Sequence, residues 1–326
     1  MAAPSLTPGN ILVIKLGAFG DFVQALGPMA AIRAHHRDAQ ITLLTTAPFI
    51  TLARESGYFD DIWIDTRPSL KDIRGLLSLR RRLRSGGFKR VYDLQNNDRT
   101  TLYLWLTGLT GRTRPEWVGA GFGASHRNTA PERIAGHAFD GHVQTLALAG
   151  IHNVTVDRLD WVRADAAHFG LPHPFILLVP GSAPNHPEKR WPAEFYGALA
   201  RHLYGWGYIP VVVGTLQEDE AGKVIRRACP EAINLCGQTS MMDLVALARH
   251  AAGAIGNDTG PMHLIAPTGC PVTVLFSGHT DPVRHGPKGA RVRIVQKDIL
   301  SSLSPDEFIK QISARDFRHK GAVAEN

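Results

Sequence analysis

The sequence predicts an α/β protein built from two doubly wound, Rossmann-like halves. Short apolar, β-branched runs alternate with segments of helical periodicity, and this alternation recurs in the second half of the chain. The 326 residues are also enough for two domains of ordinary size. Because parallel strands need helical crossovers, such alternation is typical of repeated β-α-β units. We therefore expect a parallel sheet in each half.

In the first half, four short apolar runs are the predicted strands: Asn10–Leu16, Gln40–Thr45, Asp61–Ile64 and Arg90–Leu94. The segments of helical periodicity between them are Phe22–His35, Ala47–Glu55 and Ile73–Arg84. The alternation of strand-like and helix-like segments is then interrupted by a polar segment rich in glycine and proline in the middle of the chain, Gly119–His173.

The second half repeats the pattern. Its predicted strands are Pro174–Val179, Ile209–Gly214, Ala232–Leu235, Ala252–Gly256, Val272–Phe276 and Arg291–Val295. Its predicted helices are Ala193–Leu203, Glu218–Ala228, Met241–Arg249 and Pro261–Ala266. With Ala164–Pro174 as the linker, we predict domains at 1–165 and 166–326, with a C-terminal helix able to pack back on the first domain.

Composition narrows the class of protein. Hydrophobic residues make up 44% and charged residues 20%, as in ordinary globular domains. The net charge of +7 favours anionic partners, namely nucleotides, phosphates, acidic glycolipids or nucleic acid. The 3 cysteines form no C-x-x-C pair, which argues against a disulfide framework or a cysteine zinc site. The start M-A-A-P-S-L-T-P-G-N does not resemble a signal peptide, so we expect a cytoplasmic protein.

The first candidate motif, K-L-G-A-F-G-D, begins at Lys15 and follows the first predicted strand. Its glycines allow a tight turn and close approach to a ligand. Asp21 falls near the start of the following helix, where the helix dipole stabilises its charge. The alternative is an acidic helix cap on a connecting loop.

The second motif, P-G-S-A-P-N-H-P-E-K-R-W-P, begins at Pro180 between a predicted strand and a helix. Gly181 and Ser182 can offer an amide and a hydroxyl to a phosphate, and Lys189 can add a positive charge. The alternative is a proline-stiffened loop, with Trp191 packed against the helix that follows.

The third motif, G-N-D-T-G-P-M-H-L-I-A, begins at Gly256 where a strand ends, and its proline suits a first helical turn. The amides of Thr259 and Gly260 would then face an anion. Asp258 either accepts hydrogen bonds from sugar hydroxyls or caps the helix. His263 either donates to a phosphate or packs in the core.

A weaker feature and several absences complete the survey. In the segment G-T-L-Q-E-D-E, which begins at Gly214 after a predicted strand, one carboxylate can bind ribose hydroxyls, or the acids can simply form a favourable first helical turn. D-x-D, H-E-x-x-H and G-x-x-x-x-G-K-[ST] do not occur, so we expect chemistry without a metal. A cluster of basic residues is either a solvated helix face or a docking surface for anionic lipid: Arg74, Arg80, Arg81, Arg82, Arg84, Lys89 and Arg90. The membrane contact is assigned to four of them: Arg80, Arg81, Arg82 and Arg84.

Taken together, the motifs resemble glycosyltransferase family 9, the heptosyltransferases that build the inner core of lipopolysaccharide. The resemblance rests on the opening I-L-V-I-K-L-G-A-F-G-D-F, on P-G-S with E-K-R-W-P, on L-C-G-Q-T-S, on N-D-T-G-P-M-H and on T-D-P-V-R-H-G-P, in this order. It implies a GT-B architecture, in which two Rossmann-like domains face each other across a cleft. The first domain would bind the acceptor and the second the nucleotide sugar.

The resemblance also implies roles for individual residues. Asp21 matches the catalytic base, and Lys189 matches a residue that stabilises the leaving group. The implied donor-binding residues are Gly181, Ser182, Lys189, Glu218, Thr239, Asp258, Thr259, Gly260 and His263. For the acceptor, the candidates are Lys15, Arg99 and Arg127.

The implied reaction is inverting transfer of heptose from ADP-L-glycero-β-D-manno-heptose to an inner-core hydroxyl. The ADP-sugar is a substrate, and no cofactor is expected. The implied partners are this donor and a glycolipid acceptor at the inner membrane surface, with no nucleic acid. The alternatives are another nucleotide-sugar donor, a protein acceptor, or a binding protein without activity.

Overall fold

The computed structural model describes residues 9–108, 114–183 and 185–317. The chain divides into two compact units, Met1–Asp157 and Arg158–Asn326. The sequence analysis placed the division after residue 165, within a stretch of few regular elements. Most of the N-terminal segment that we compared with a signal peptide lies outside the described residues.

The first unit contains a parallel sheet of six strands in the order β3-β2-β1-β4-β5-β6. These strands are β1 (Asn10–Ile14), β2 (Ile41–Thr45), β3 (Asp61–Ile64), β4 (Phe88–Asp93), β5 (Glu116–Gly119) and β6 (His126–Arg127). The helices are α1 (Phe19–His35), α2 (Ile50–Ser56), α3 (Ile73–Ser85), α4 (Asp98–Thr107), α5 (Glu132–Ala135) and α6 (Ala138–Ala147).

The second unit repeats this design, with the strand order β12-β11-β10-β7-β8-β9. Its strands are β7 (Phe175–Val179), β8 (Ile209–Val212), β9 (Ile233–Asn234), β10 (Gly253–Asn257), β11 (Val272–Phe276) and β12 (Val292–Gln296). Its helices are α7 (Ala193–Gly205), α8 (Asp219–Ala228), α9 (Met241–His250), α10 (Gly260–Ile265), α11 (Pro282–His285) and α12 (Pro305–Ile309).

The prediction of two Rossmann-like parallel sheets is confirmed. The polar middle of the chain was interpreted wrongly, since the short strand β6 and the helix α6 lie inside it. The strand β5 was missed as well. Strands of two to four residues with few apolar side chains carry too little periodicity to be detected from sequence.

The central strands are apolar because helices cover both faces of each sheet. Every residue of β2, β7 and β11 is buried. In the second unit, Trp191 is 1% exposed and packs edge-on against the rings of Tyr196 and Phe308. The expected packing of Trp191 on the following helix is therefore confirmed. The predicted packing of a C-terminal helix on the first domain stays a prediction.

Each sheet has one place where the direction of strand addition reverses. In the first unit the reversal lies between β1 and β4, and in the second it lies between β7 and β10. Loops that leave neighbouring strands in opposite directions open a crevice at such a point, and ligands of α/β proteins bind there. The loops after these four strands are therefore the first places to look for a site.

In the parts of the chain that the structure describes, no helix combines the length and the apolar character needed to span a bilayer.

A polar network joins the end of α1 to the sheet of the first unit. The Nε2 atom of His36 lies 2.7 Å from the hydroxyl of Tyr92, and Arg90 donates to the same hydroxyl at 3.3 Å. Burial lowers the pKa of His36 to about 4, with further contributions from the nearby charges of His35, Arg90 and Arg33. His36 is therefore neutral in the folded protein at neutral pH.

Because the pKa of His36 rises to its ordinary value on unfolding, acid should favour the unfolded protein. This effect begins near pH 6.5 and is complete near pH 4. Between pH 7 and pH 5 we expect wild type to lose about 1 kcal/mol more of its free energy of unfolding than His36→Gln, allowing for the partly exposed ring. Urea titrations at both pH values measure this difference. Equal losses in the two proteins would show that His36 is not responsible.

Candidate functional site

The loop after β1 is held by side chains from neighbouring segments of the first unit. The Leu16 amide donates to Oε1 of Gln95 at 2.9 Å, and the Leu16 carbonyl accepts from Oγ1 of Thr46 at 3.2 Å and from the Arg67 guanidinium. Gly17 has a φ of 132°, a backbone conformation that residues with a side chain rarely adopt. The loop thus enters α1 in a fixed conformation.

Asp21 lies in the first turn of α1, as the sequence predicts, and is partly exposed. Its position follows the carboxyl end of β1, beside the reversal point of the sheet. A carboxylate in the first turn is stabilised by the helix dipole and stays accessible to a ligand. Asp21 is therefore placed where a base could act.

Lys15 is buried rather than presented to a ligand. It is 4% exposed, and its ammonium donates to the Leu94 carbonyl at 3.1 Å. Burial lowers the pKa of Lys15, and the charges of Asp21 and Asp93 raise it in part. Burial also raises the pKa of Asp93, against the opposing hydrogen bond from the Asn96 amide. Lys15 is thus a buried amine whose pKa depends on Asp21 and Asp93.

The two arginines predicted to bind the acceptor lie on different elements. Arg99, in the first turn of α4, donates to the Pro68 carbonyl at 3.2 Å. Arg127, in β6, donates to the Ala120 carbonyl at 3.2 Å and lies over the ring of Phe122. Within residues 9–108 and 114–157, no hydrogen bond or ion pair links either arginine to Asp21.

In the second unit, one buried amide joins the loops at the reversal point. Asn257 ends β10 and is 0% exposed. Its Nδ2 donates to the carbonyls of Pro180 at 2.7 Å and Gly181 at 3.2 Å. Its Oδ1 accepts from the Trp191 amide at 3.1 Å and from the Tyr196 hydroxyl at 3.0 Å. Three of these contacts fix both ends of the loop between β7 and α7 against β10, and the fourth joins Asn257 to α7.

This arrangement brings two predicted residues together. Nζ of Lys189 lies 2.9 Å from Oδ2 of Asp258, and the two side chains are 18% and 8% exposed. Asp258 is thus an ion-pair partner rather than the helix cap, since Thr259 is the residue that precedes α10. A lysine ammonium has three donors, so Lys189 can hold Asp258 and still donate to a ligand.

The hydroxyl of Ser182 is also engaged. It donates to the His186 carbonyl at 2.8 Å and accepts from Nε of Arg190 at 2.9 Å. Arg190 is an exposed residue, and this contact holds its guanidinium beside the loop. The sequence analysis gave Arg190 no role, yet it adds a second positive charge near Lys189 in the chain.

Among the three consecutive acids, Glu218 is the one beside the loop after β7. A Cβ added to Gly181 would lie 2.8 Å from Cγ of Glu218, so this glycine permits the close approach. Oε2 of Glu218 accepts from the amide and the hydroxyl of Thr215, at 2.8 Å and 2.7 Å. Asp219 and Glu220 instead pair with Lys223, on the surface of α8.

The remaining predicted donor residues occupy the same edge of the sheet. Thr239 lies just before α9, in the loop that follows β9, and is partly exposed. Thr259 and Gly260 lie where β10 gives way to α10, and no side chain caps this helix. His263 is 7% exposed, one turn further along α10.

Asn257 was part of a recognised motif but received no role from sequence. The ligand-binding role was assigned to its neighbour Asp258 because that residue carries a charge. A single sequence does not reveal the role of a buried asparagine, because that role depends on hydrogen bonds to carbonyls that are distant along the chain. The only hint is a polar residue at the end of an apolar strand.

The Asn257 contacts predict a large effect from an isosteric substitution. Asn257→Asp keeps the shape but replaces two N–H donors with a carboxylate oxygen facing two carbonyls. We expect the free energy of unfolding of the second unit to fall by about 3 kcal/mol in urea at neutral pH. The control Asn10→Asp removes one exposed hydrogen bond to Gly86 in the first unit. The free energy of unfolding of that unit should fall by less than about 1 kcal/mol. Similar losses in both variants would contradict this role.

Comparison with known proteins gives a consistent family. A family model described as glycosyltransferase family 9 (heptosyltransferase) matches residues 76–306. Lipooligosaccharide heptosyltransferase 2 of Haemophilus influenzae is 31% identical over 142 residues, which cover 41% of this chain and 40% of that protein. Lipopolysaccharide core heptosyltransferase OpsX of the same organism is 23% identical over 307 residues, 86% of this chain and 82% of that protein.

Solved structures share the fold. A glycosyl transferase family 9 structure from Veillonella parvula DSM 2008 has a TM-score of 0.74 at 22% identity, covering 93% of this chain and 95% of that one. The ADP-heptose lps heptosyltransferase II of E. coli has a TM-score of 0.69 at 21% identity, covering 93% and 97%. Since the family model spans well over half of the sequence, this chain belongs to glycosyltransferase family 9, the heptosyltransferase family.

Proposed function

We propose that this protein transfers heptose from ADP-L-glycero-β-D-manno-heptose to a hydroxyl of the lipopolysaccharide inner core, with inversion at the anomeric carbon. The observation that carries the proposal is the ion pair of Lys189 with Asp258 at the reversal point of the second sheet. Family membership supports heptosyl transfer as the reaction class. The H. influenzae relatives named above are heptosyltransferases of lipooligosaccharide and lipopolysaccharide core.

In this proposal the second unit binds the donor. Lys189 donates to the diphosphate, together with the loop of Gly181 and Ser182. Glu218 accepts from the ribose hydroxyls through its second carboxylate oxygen, since Thr215 already occupies Oε2. Thr239 contacts the adenine. Asp258 accepts from hydroxyls of the sugar. The remaining candidates donate to the phosphate: Thr259, Gly260 and His263.

Asp21 of the first unit acts as the general base. Its carboxylate takes the proton of the acceptor hydroxyl while that oxygen forms a bond to the anomeric carbon. The bond from this carbon to the β-phosphate oxygen breaks, and ADP leaves with the bonding electrons. Lys189 stabilises the charge that develops on ADP. The proposal requires both groups to act on one anomeric carbon.

For the acceptor, Lys15 has a different role from the two arginines. Its buried ammonium already donates to Leu94, so it acts on the electrostatics of Asp21 rather than on the acceptor directly. Arg99 and Arg127 lie nearer the surface and are the residues proposed to contact acidic groups of the acceptor. Their carbonyl contacts would hold each guanidinium in place.

The proposed acceptor is a glycolipid at the inner membrane surface, so the enzyme would work at the cytoplasmic face. The ADP-sugar serves as a substrate, and no cofactor is proposed. Transfer that is abolished by a chelator and restored by a divalent cation would overturn this part of the proposal.

Replacing the base tests the reaction directly. Asp21→Asn keeps the shape of the side chain but cannot accept the proton, so we expect kcat for heptose transfer to fall by about 10²–10⁴-fold. ADP binding should stay unchanged, because Asp21 belongs to the other unit. Transfer is measured as ADP release with core glycolipid as acceptor.

The matched control is Asp38→Asn, which alters an exposed carboxylate of the same unit in the loop before β2. We expect wild-type kcat from it. Near-normal transfer by Asp21→Asn would rule out this base. Tight binding of ADP-heptose without turnover on any core acceptor would instead favour a protein that binds the sugar nucleotide only.

A further inference from the structure

One exposed surface of the first unit combines apolar and basic side chains. Leu70, Ile73 and Leu77 are 75%, 68% and 56% exposed, although side chains of this kind are usually buried. Leu70 lies in the turn before α3, and the other two lie on its first two turns. We call these three residues the apolar row.

Four exposed arginines lie on the same helix, Arg74 beside the apolar row and the other three C-terminal to it: Arg74, Arg80, Arg81 and Arg84. None of them forms an ion pair or a side-chain hydrogen bond with another residue of 9–108 or 114–157. Their charge is therefore not neutralised by described carboxylates. The exposed side of α3 is thus apolar toward its N-terminus and cationic toward its C-terminus.

The helical repeat places these residues on the outer side of α3. At about 100° per residue, Ile73, Leu77 and Arg84 fall within one narrow sector. The opposite side carries Leu79 and Leu83, which are 8% and 3% exposed and pack in the core of the first unit. The fold thus uses one face of α3 for the core and leaves the other unpartnered.

Arg82 does not belong to this surface, although the sequence analysis grouped it with its neighbours. Its Nη1 donates to the Ile64 carbonyl at 3.2 Å, and its guanidinium lies 4.4 Å from the ring centre of Trp63. These contacts tie Arg82 to β3. It therefore serves packing rather than lipid contact.

We propose that the apolar row and the four arginines dock the protein onto an anionic lipid bilayer. The arginines bind headgroup phosphates, and the apolar row enters the boundary between headgroups and acyl chains. An amphipathic helix with arginines around an exposed apolar sector is suited to this position. Nucleic acid would use the charge but would leave the apolar row in water, so the bilayer fits both features.

This inference deepens the proposed function, on which it rests for the lipid nature of the acceptor. It concerns binding of the protein to a membrane and not the transfer step. A vesicle assay without donor or acceptor can therefore fail while transfer is intact, and the reverse also holds.

Sedimentation with vesicles tests the proposal. Wild type should bind vesicles of phosphatidylcholine with phosphatidylglycerol at low salt, and bind pure phosphatidylcholine at least ten-fold more weakly. The triple variant Arg80→Gln/Arg81→Gln/Arg84→Gln should lower the partition coefficient on the anionic vesicles by about 100-fold. Ile73→Gln/Leu77→Gln should lower it by about ten-fold or more, and glutamine preserves helix propensity.

Matched controls come from the second unit. Arg226→Gln/Arg227→Gln removes exposed positive charge from α8, and Ile299→Gln removes a side chain that is 64% exposed. Both controls should bind vesicles within about two-fold of wild type. If test and control variants lost vesicle binding equally, binding would depend on the overall charge or hydrophobicity of the protein and not on α3. That result would overturn the proposal.

A fluorescent label reports whether the apolar row enters the lipid. The cysteines Cys229, Cys236 and Cys270 are buried, so Leu77→Cys provides one accessible thiol for an environment-sensitive dye. On anionic vesicles its emission should shift to the blue, while the same dye at Ile299→Cys should not shift. Unshifted emission of the dye at Leu77→Cys would contradict bilayer docking. Binding of the protein to RNA but not to anionic vesicles would contradict it as well.

Discussion

The candidate site of the second unit depends on one buried amide. Asn257 satisfies two carbonyls and one amide of the loop after β7, and the Tyr196 hydroxyl of α7, all more than sixty residues away in sequence. Because both ends of the amide are used, the side chain has one orientation, and the loop has one position against β10. The ion pair of Lys189 with Asp258 follows from that position, since each residue adjoins a segment that Asn257 holds. A charged pocket is thereby built on a neutral, fully bonded group.

Both units place their motifs at the same topological location. In each sheet the strand order reverses between two central strands, and the motifs follow those strands. In the first unit the loop after β1 leads into α1, whose first turn carries Asp21. In the second unit the loop after β7 carries Lys189 and Ser182, with Glu218 packed against Gly181.

Long apolar strands and helices were predictable from sequence because their periodicity extends over many residues. Val272–Phe276 matches the prediction at both ends, and Asp21 falls in the first turn of α1 as expected. The two-residue strand β6 was not predictable, because its formation depends on pairing with β5. Nor could the sequence show that Arg82 packs on the fold while Arg81 stays exposed, since that packing depends on Trp63 in β3. The pairing of Lys189 with Asp258 likewise arises from tertiary structure.

The central claim is that Lys189, positioned through Asn257, holds the diphosphate of an ADP-sugar. Calorimetric titration of ADP and UDP into wild type and Lys189→Met tests it most directly. The account predicts that wild type binds ADP more tightly than UDP, and that Lys189→Met weakens ADP binding by at least about ten-fold, the loss expected for one charge-assisted hydrogen bond. ADP affinity unchanged by Lys189→Met, or tighter binding of UDP, would contradict it.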